Sequence, residues 1–209
     1  ETPCRDMRGR DVATATDKNI ELSDEQALGA RMRRARQQRS LSLNTIAQSA
    51  GLSVGLICQI ERGLTSPSIR SLRLIAKAIG VSVDAFFVET GPLSEEEAGY
   101  IVRPANRRVL DLGPAGITMQ ITTPRVEGDL QMFLTEIDPG SYSGPELDTH
   151  EGEEAGVVIA GQLELWLDDR RFTLFEGDSF RYRASTPHRY GNPGRTVTRV
   201  HWVYTPPIY

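Results

Sequence analysis

The spacing of apolar residues changes once along this chain, near residue 100, and that change restricts the fold more than any other feature. Between Leu28 and Phe87 the spacing is helical, as in Ile46, Ala50, Leu52, Ile57 and Ile60. Gly51, Gly63 and Gly80 each follow such a stretch, where a left-handed C-terminal cap is expected. From Tyr100 onward the pattern turns into short alternating runs separated by turn residues: QMFLTEI, GVVIAG, QLELWL, RRFTLF, SFRYR and VTRVHWVY. Such runs predict an all-β sandwich or barrel. The chain of 209 residues therefore reads as two units, α then β. Their expected bounds are a polar tail over 1–27, a helical domain over 28–87, a linker over 88–99 (VETGPLSEEEAG) and a β domain over 100–209.

A net charge of −4 conceals an uneven distribution. Residues 28–87 hold nine Arg or Lys against Glu61 and Asp84, a net of +7, which leaves the rest of the chain at −11. A basic block inside an acidic protein predicts two roles on one chain, one of them facing a polyanion. No run of about 18 apolar residues occurs, which excludes a helical membrane span. The opening residues lack the apolar core of a secretory signal. Cys4 and Cys58 lie too far apart in sequence to suggest a disulfide framework or a paired metal motif. The expectation is a cytoplasmic protein with no membrane partner.

In LNTIAQSAGLSVGLICQI (43–60), two helices crossing steeply need a small residue where they touch, and Ala47 supplies it. The tight turn between them needs positive φ, which Gly51 provides. Ser42 and Ser53 precede these helices as N-caps, and Ser66-Pro67-Ser68 offers another cap before SIRSLRLIAKAIG. The stretch from LGARMRRARQQRS through QIERGLTSPSIRSLRLIAKAIGVSVDAFF is similar to the lambda-repressor-like helix-turn-helix domains of the XRE type. In those domains the second helix of the motif enters the major groove of DNA. The resemblance implies that Ser53, Val54, Gly55, Leu56 and Gln59 lie at the base edges, with Ser42 also at the DNA. Gln59 can pair with adenine through both amide atoms, and Val54 and Leu56 can meet thymine methyls. Arg39, Arg62, Arg70 and Arg73 are expected on phosphates, fixing register without reading sequence. Cys58, on the same helix, reads as a small packed residue.

In the β half, GPELDTHEGEEAGVVIAG (144–161) and GDSFRYRASTPHRYGN (177–192) resemble the two signature motifs of the cupin superfamily, a double-sheet jelly-roll barrel. The match departs at Asp148, where a histidine is usual, and at Arg183 and Ser185, where proline and glycine are. Strand alternation would put Asp148 and His150 on one face, with Glu154 joining them across a bend and His188 facing them. Asp148, His150, Glu154 and His188 form a reasonable donor set for Zn²⁺, Fe²⁺, Mn²⁺ or Ni²⁺. The same residues read equally as a metal-free pocket in which His150, Glu154 and His188 hydrogen-bond a ligand directly. Tyr182 and Tyr190 join them as effector-binding candidates, and Val158, Leu163, Leu165 and Phe180 complete the expected apolar lining. Trp166 and Trp202 are expected on the outer face, where two barrels could meet. His201 is expected near the barrel wall.

An XRE-type domain followed by one cupin resembles a bacterial class of ligand-responsive transcription factors. H-x-GEE-x-G, TPH and the Tyr-Thr-Pro-Pro ending are most similar to its putrescine-utilisation repressors. The resemblance implies a sequence-specific regulator, acting as a repressor and as a homodimer on a double-stranded, near-palindromic operator. The cupin would bind a small-molecule effector. Glu146, Asp148, Glu151, Glu153 and Glu154 would form an acidic pocket suited to an amine or amino-acid-derived metabolite. The alternative is a metal-dependent cupin enzyme, a dioxygenase or isomerase, fused to a DNA-binding domain. The replaced histidine and the lack of an acid or base beyond the metal ligands favour a non-enzymatic regulator.

Overall fold

The computed structural model describes residues 24–89, 96–97, 99–124 and 128–207. Helices α1 (Asp24–Gln38), α2 (Leu43–Ala50), α3 (Val54–Glu61) and α4 (Ile69–Ile79) come first, followed by a 3-10 turn at Val83–Phe86. Helix α1 thus begins inside the stretch expected to be tail, whose residues 1–23 lie outside the described residues. Ser42, Ser53 and Ser68 cap α2, α3 and α4, their hydroxyls accepting from the N–H groups of Thr45, Leu56 and Ser71 at 3.0, 3.1 and 3.1 Å. Each bond satisfies one of the amides that a helix start leaves unpaired. Gly51, Gly63 and Gly80 have φ of 65°, 65° and 79°, the left-handed region that the glycine spacing predicts. Met32, Ile46, Ile57, Leu72 and Ile75 fill the space between the helices and are fully buried. Arg36 ties α1 to α3: Nε donates to Glu61 Oε1 at 2.6 Å and Nη2 to Oε2 at 2.8 Å, while Nη1 holds Leu41 O at 2.8 Å. This two-pronged pairing is the strong form of an Arg–carboxylate contact.

Ten strands follow among the described residues, every pair antiparallel. They are β1 (Val88–Glu89), β2 (Arg108–Asp111), β3 (Ile117–Ile121), β4 (Gln131–Ile137), β5 (Glu153–Ala160), β6 (Gln162–Leu167), β7 (Arg170–Phe175), β8 (Ser179–Arg183), β9 (His188–Gly191) and β10 (Thr198–Thr205). The larger sheet runs β1-β2-β3-β4-β10-β5-β8 and the smaller β7-β6-β9. In β4 and β10 every second residue is buried, so Phe133 and Ile137 face inward with Val200, Trp202 and Tyr204. That period of two is what lets one face fill a core while the other meets solvent.

The two units are in direct contact. Val88, at the start of the expected linker, is paired with Val109 as the edge of the larger sheet, and Phe87 packs on Phe133 with ring centroids 6.1 Å apart. Residues 90–95 and 98 of that expected linker lie outside the described residues. Asp84 accepts from Arg108 Nη1 at 2.7 Å and from Gln131 Nε2 at 3.0 Å. At the other end of the contact, Ile69 N donates to Ser143 O at 3.0 Å and Arg70 Nη1 to Glu146 Oε2 at 2.6 Å. Arg73 grips both carboxylate oxygens of Asp148 and also donates to Thr149 O at 2.9 Å. Helix α4 therefore lies with its N-terminal half across one end of the β unit.

Candidate functional site

Beneath that end of α4 sits Glu154, near the start of β5 and only 2% exposed. Its carboxylate receives four side chains. Oε1 faces His150 Nε2 at 2.7 Å and His188 Nε2 at 3.3 Å. Oε2 accepts from the Tyr182 hydroxyl at 2.6 Å and from Trp202 Nε1 at 2.7 Å. The Nδ1 atoms of the two histidines lie 3.0 Å from Glu151 O and 2.8 Å from Thr186 O. A ring nitrogen facing a carbonyl oxygen carries its proton, so Nε2 is the atom each imidazole turns to Glu154. There it meets the carboxylate either as a second N–H or across a shared cation.

Burial alone would push the Glu154 carboxyl up, but the bonds and charges of His150 and His188 outweigh it and hold the carboxyl at about 2. Burial pulls His188 down, yet its bond to Glu154 and the adjacent negative charge leave it raised. The Tyr190 phenol is pushed up by burial and then by the charges of Glu154 and Asp148, so it stays protonated. His150, Glu154 and His188 each offer a ligand atom, and these atoms lie within 4.8 Å of one another. The donor set, two imidazoles and a carboxylate, fits a divalent transition ion.

Asp148 departs from its expected place in that set. Its carboxylate is turned to Arg73, with the two side chains 13% and 14% exposed. The expectation relied on a continuous strand through 148–154, and the chain does not form one. Asp148 makes an isolated bridge to His188, His150 N bonds to Ala184 O, and β5 starts only at Glu153. Between them Gly152 bends the backbone at φ 98°, where a Cβ would lie 2.1 Å from Thr205 O. Of the expected acidic pocket, Glu146, Asp148 and Glu154 line one small cavity, but most of its acids are paired with arginines. Glu146 pairs with Arg70, Asp148 with Arg73 and Glu153 with Arg181, leaving Glu154 inside and Glu151 at the rim.

Tyr182 and Tyr190 are buried beside the histidines, and Val158, Leu163 and Leu165 are core; Phe180 packs against that core. Trp202 is a correction: it is fully buried and donates to Glu154 rather than lying on an outer face. The alternation of VTRVHWVY, with Val200, Trp202 and Tyr204 on one face, is the signal that places it. Tyr204 lines the same small space, a role its position in the sequence motifs does not mark. Trp166 is half-buried, its ring covered by the guanidinium of Arg189 at 4.1 Å and of Arg171 at 5.4 Å. His201 is half-buried on β10, 3.5 Å from Thr122 Oγ1, and burial together with the charge of Arg107 lowers its pKa.

On the helical unit, Ser53, Val54, Gly55 and Gln59 of the α3 region are exposed at its outer side, and Arg62 and Arg39 are exposed. Leu56 is half-buried and packs against the helical core, so it is divided between the interior and the outer face. The Ser42 and Ser53 hydroxyls serve as caps, and Cys58 is half-buried. Arg70 and Arg73 are placed differently: their guanidinium groups pair with Glu146 and Asp148 of the β unit, Arg73 largely buried and Arg70 partly open to solvent.

The chain thus carries an XRE-type helix-turn-helix domain and a cupin domain. Residues 32–86 match the helix-turn-helix family model and residues 133–204 the cupin domain model. It is similar to the HTH-type transcriptional regulator PuuR of Escherichia coli (strain K12), with 28% identity over 190 residues, 90% of this chain and 100% of that protein. It is also similar to the HTH-type transcriptional regulator SutR of the same strain, with 29% identity over 176 residues, 83% of this chain and 92% of the relative. The crystal structure of an HTH_3 family transcriptional regulator from Vibrio cholerae has the same fold, with a TM-score of 0.57 at 21% identity, covering 87% of this chain and 96% of that one. Among the described residues no single helix is long and apolar enough to cross a membrane.

Proposed function

We propose that this chain is a sequence-specific DNA-binding transcriptional regulator whose cupin domain binds a small effector. The observation that carries this reading is α3: Ser53, Val54, Gly55, Gln59 and Arg62 stand together at its outer side, clear of the contacts that join the two units. A helix presented in this way suits the major groove, with Gln59 reading a base and Arg62 and Arg39 on phosphates. A homodimer would set two such helices one DNA turn apart on a near-palindromic operator, where bound protein represses. The names of the relatives as transcriptional regulators support this role over an enzymatic one.

In the cupin, His150, Glu154 and His188 would hold a divalent ion, with Nδ1 of each histidine fixed by a backbone carbonyl and Tyr182 and Trp202 fixing the carboxylate. A bound ion would supply a positive anchor for an oxygen or nitrogen of the effector. Arg70, Arg73 and Arg181 neutralise Glu146, Asp148 and Glu153, three of the five acids that would favour an amine. The effector is therefore read as a small polar metabolite, not specifically an amine.

Selection of genomic fragments by the full chain, followed by footprinting, tests the reading. A short near-palindromic site is expected; Gln59→Ala should change base preference at one position per half-site. Binding without any sequence preference would refute the regulator.

A further inference from the structure

The space around Glu154 holds two observations that the regulator reading does not use. First, the Tyr190 hydroxyl is buried and has no hydrogen-bond partner among the described residues, although Tyr190 is 4% exposed and lines the small cavity beside His150, Glu154 and His188. A buried, protonated phenol without an acceptor costs free energy, so such a group marks a place for a water or a ligand atom. Second, that cavity measures about 10 Å³, close to the least space one water needs. One side of it is not cupin: Ile69 and Arg70 of α4 line it beside Ser143, Glu146 and Asp148. Beyond that side, a cleft of about 630 Å³ runs between α4 and residues 149–151, with Arg73, Lys77 and Val81 on the helical side and His150 on the other.

We propose that the N-terminal half of α4 is the lid of the cupin chamber: a ligand that hydrogen-bonds the Tyr190 hydroxyl enters only when Ile69 and Arg70 lift, so ligand occupancy and the seating of α4 exclude each other. This rests on the reading of the cupin as the effector-binding unit. The lid is held by contacts in the chamber wall itself, since Ser143, Glu146 and Asp148 line the cavity together with Ile69 and Arg70. Arg73 holds Asp148, which is bridged to His188 through its backbone and lies two residues from His150. Arg70 holds Glu146, and the Ile69 amide holds Ser143 O. The outer face of α3 is left clear when α4 is seated, so the lid does not mask the DNA-binding surface. Its effect is to hold the α4 end of the helical unit on the cupin, and ligand entry releases that end while Asp84, Phe87 and Val88 keep their contacts. The ligand class is a small polar molecule carrying a hydrogen-bond acceptor for the phenol.

The test uses the full chain and acrylamide as the probe of access. With Trp166→Phe in the background, fluorescence comes from Trp202, whose indole donates to Glu154 at the chamber floor. Quenching of Trp202 is expected to be weak in this parent and to rise several-fold in Arg70→Ala/Arg73→Ala and, from the opposite side, in Asp148→Ala. Strong quenching in the parent, or no rise in either variant, overturns the lid. Thermal unfolding of each variant establishes that its fold is retained. Tyr190→Phe should raise the thermal midpoint of the ligand-free chain by about 2–4 °C, since it removes a buried hydroxyl that has no partner among the described residues. A lowered midpoint would mean the hydroxyl has a protein partner and would overturn its role. Neither arm uses DNA or an effector, so failed operator selection sinks the regulator reading and leaves the lid standing, and the reverse holds.

Discussion

Four arginines carry the sequence motif's expected phosphate contacts, and the structure divides them into two pairs that a salt titration can tell apart. Arg39 and Arg62 are exposed, Arg62 at the end of α3 and Arg39 against the end of α4, whereas Arg70 and Arg73 are paired with Glu146 and Asp148. Each phosphate neutralised by a side chain releases condensed counterion, so log K falls against log salt with a slope of about −0.9 per contact. Arg62→Ala should therefore make the slope shallower by about 0.9 per chain, equivalent to losing about 3.5-fold less affinity between 50 and 200 mM salt. Arg39→Ala should do the same, less the part of its side chain committed to Gly80 O at 3.2 Å. Arg70→Ala and Arg73→Ala should leave the slope unchanged, because their guanidinium groups are already neutralised by carboxylates. Fluorescence anisotropy of a labelled duplex at a series of salt concentrations reads the slope directly, and needs no knowledge of the operator. If Arg70→Ala flattens the slope as much as Arg62→Ala, the ion pairs to the cupin are absent in the DNA-bound protein and the division of roles fails.

Other expectations follow from buried polar groups. Arg36→Ala leaves the Glu61 carboxylate buried and unpaired and should cost about 3–5 kcal/mol in urea unfolding, while Arg36→Met with Glu61→Leu should recover most of it; a cost near zero would show the pair to be solvated. In metal loading followed by elemental analysis, His150→Ala, Glu154→Ala and His188→Ala should each lose the ion, and Asp148→Asn should keep it. Equal loss in Asp148→Asn would return that residue to the ligand set. Trp202→Phe removes one of two donors to Glu154 Oε2 and should weaken ion affinity by about 10-fold or more; unchanged affinity would reduce the indole to packing alone.

Local chemistry is legible in the amino-acid sequence itself. The 3.6-residue and two-residue periods, the serine caps and the left-handed glycines each depend on neighbours within a few positions, so the α-then-β order, the helix-turn-helix and the strand runs can be read directly. His150, Glu154 and His188 are also legible, since motif spacing carries them. Pairings made across the docking of one unit on the other are not. Arg73 and Asp148 are 75 residues apart, and each alone reads as a ready phosphate contact or a ready metal ligand. Only the seating of α4 on the cupin turns them toward each other, because a charge leaving water takes the opposite charge that the fold places beside it. The same docking, through Ile69 and Arg70, narrows the chamber to a small space around a tyrosine whose hydroxyl has no partner among the described residues, a property of the assembled surface that belongs to neither segment alone.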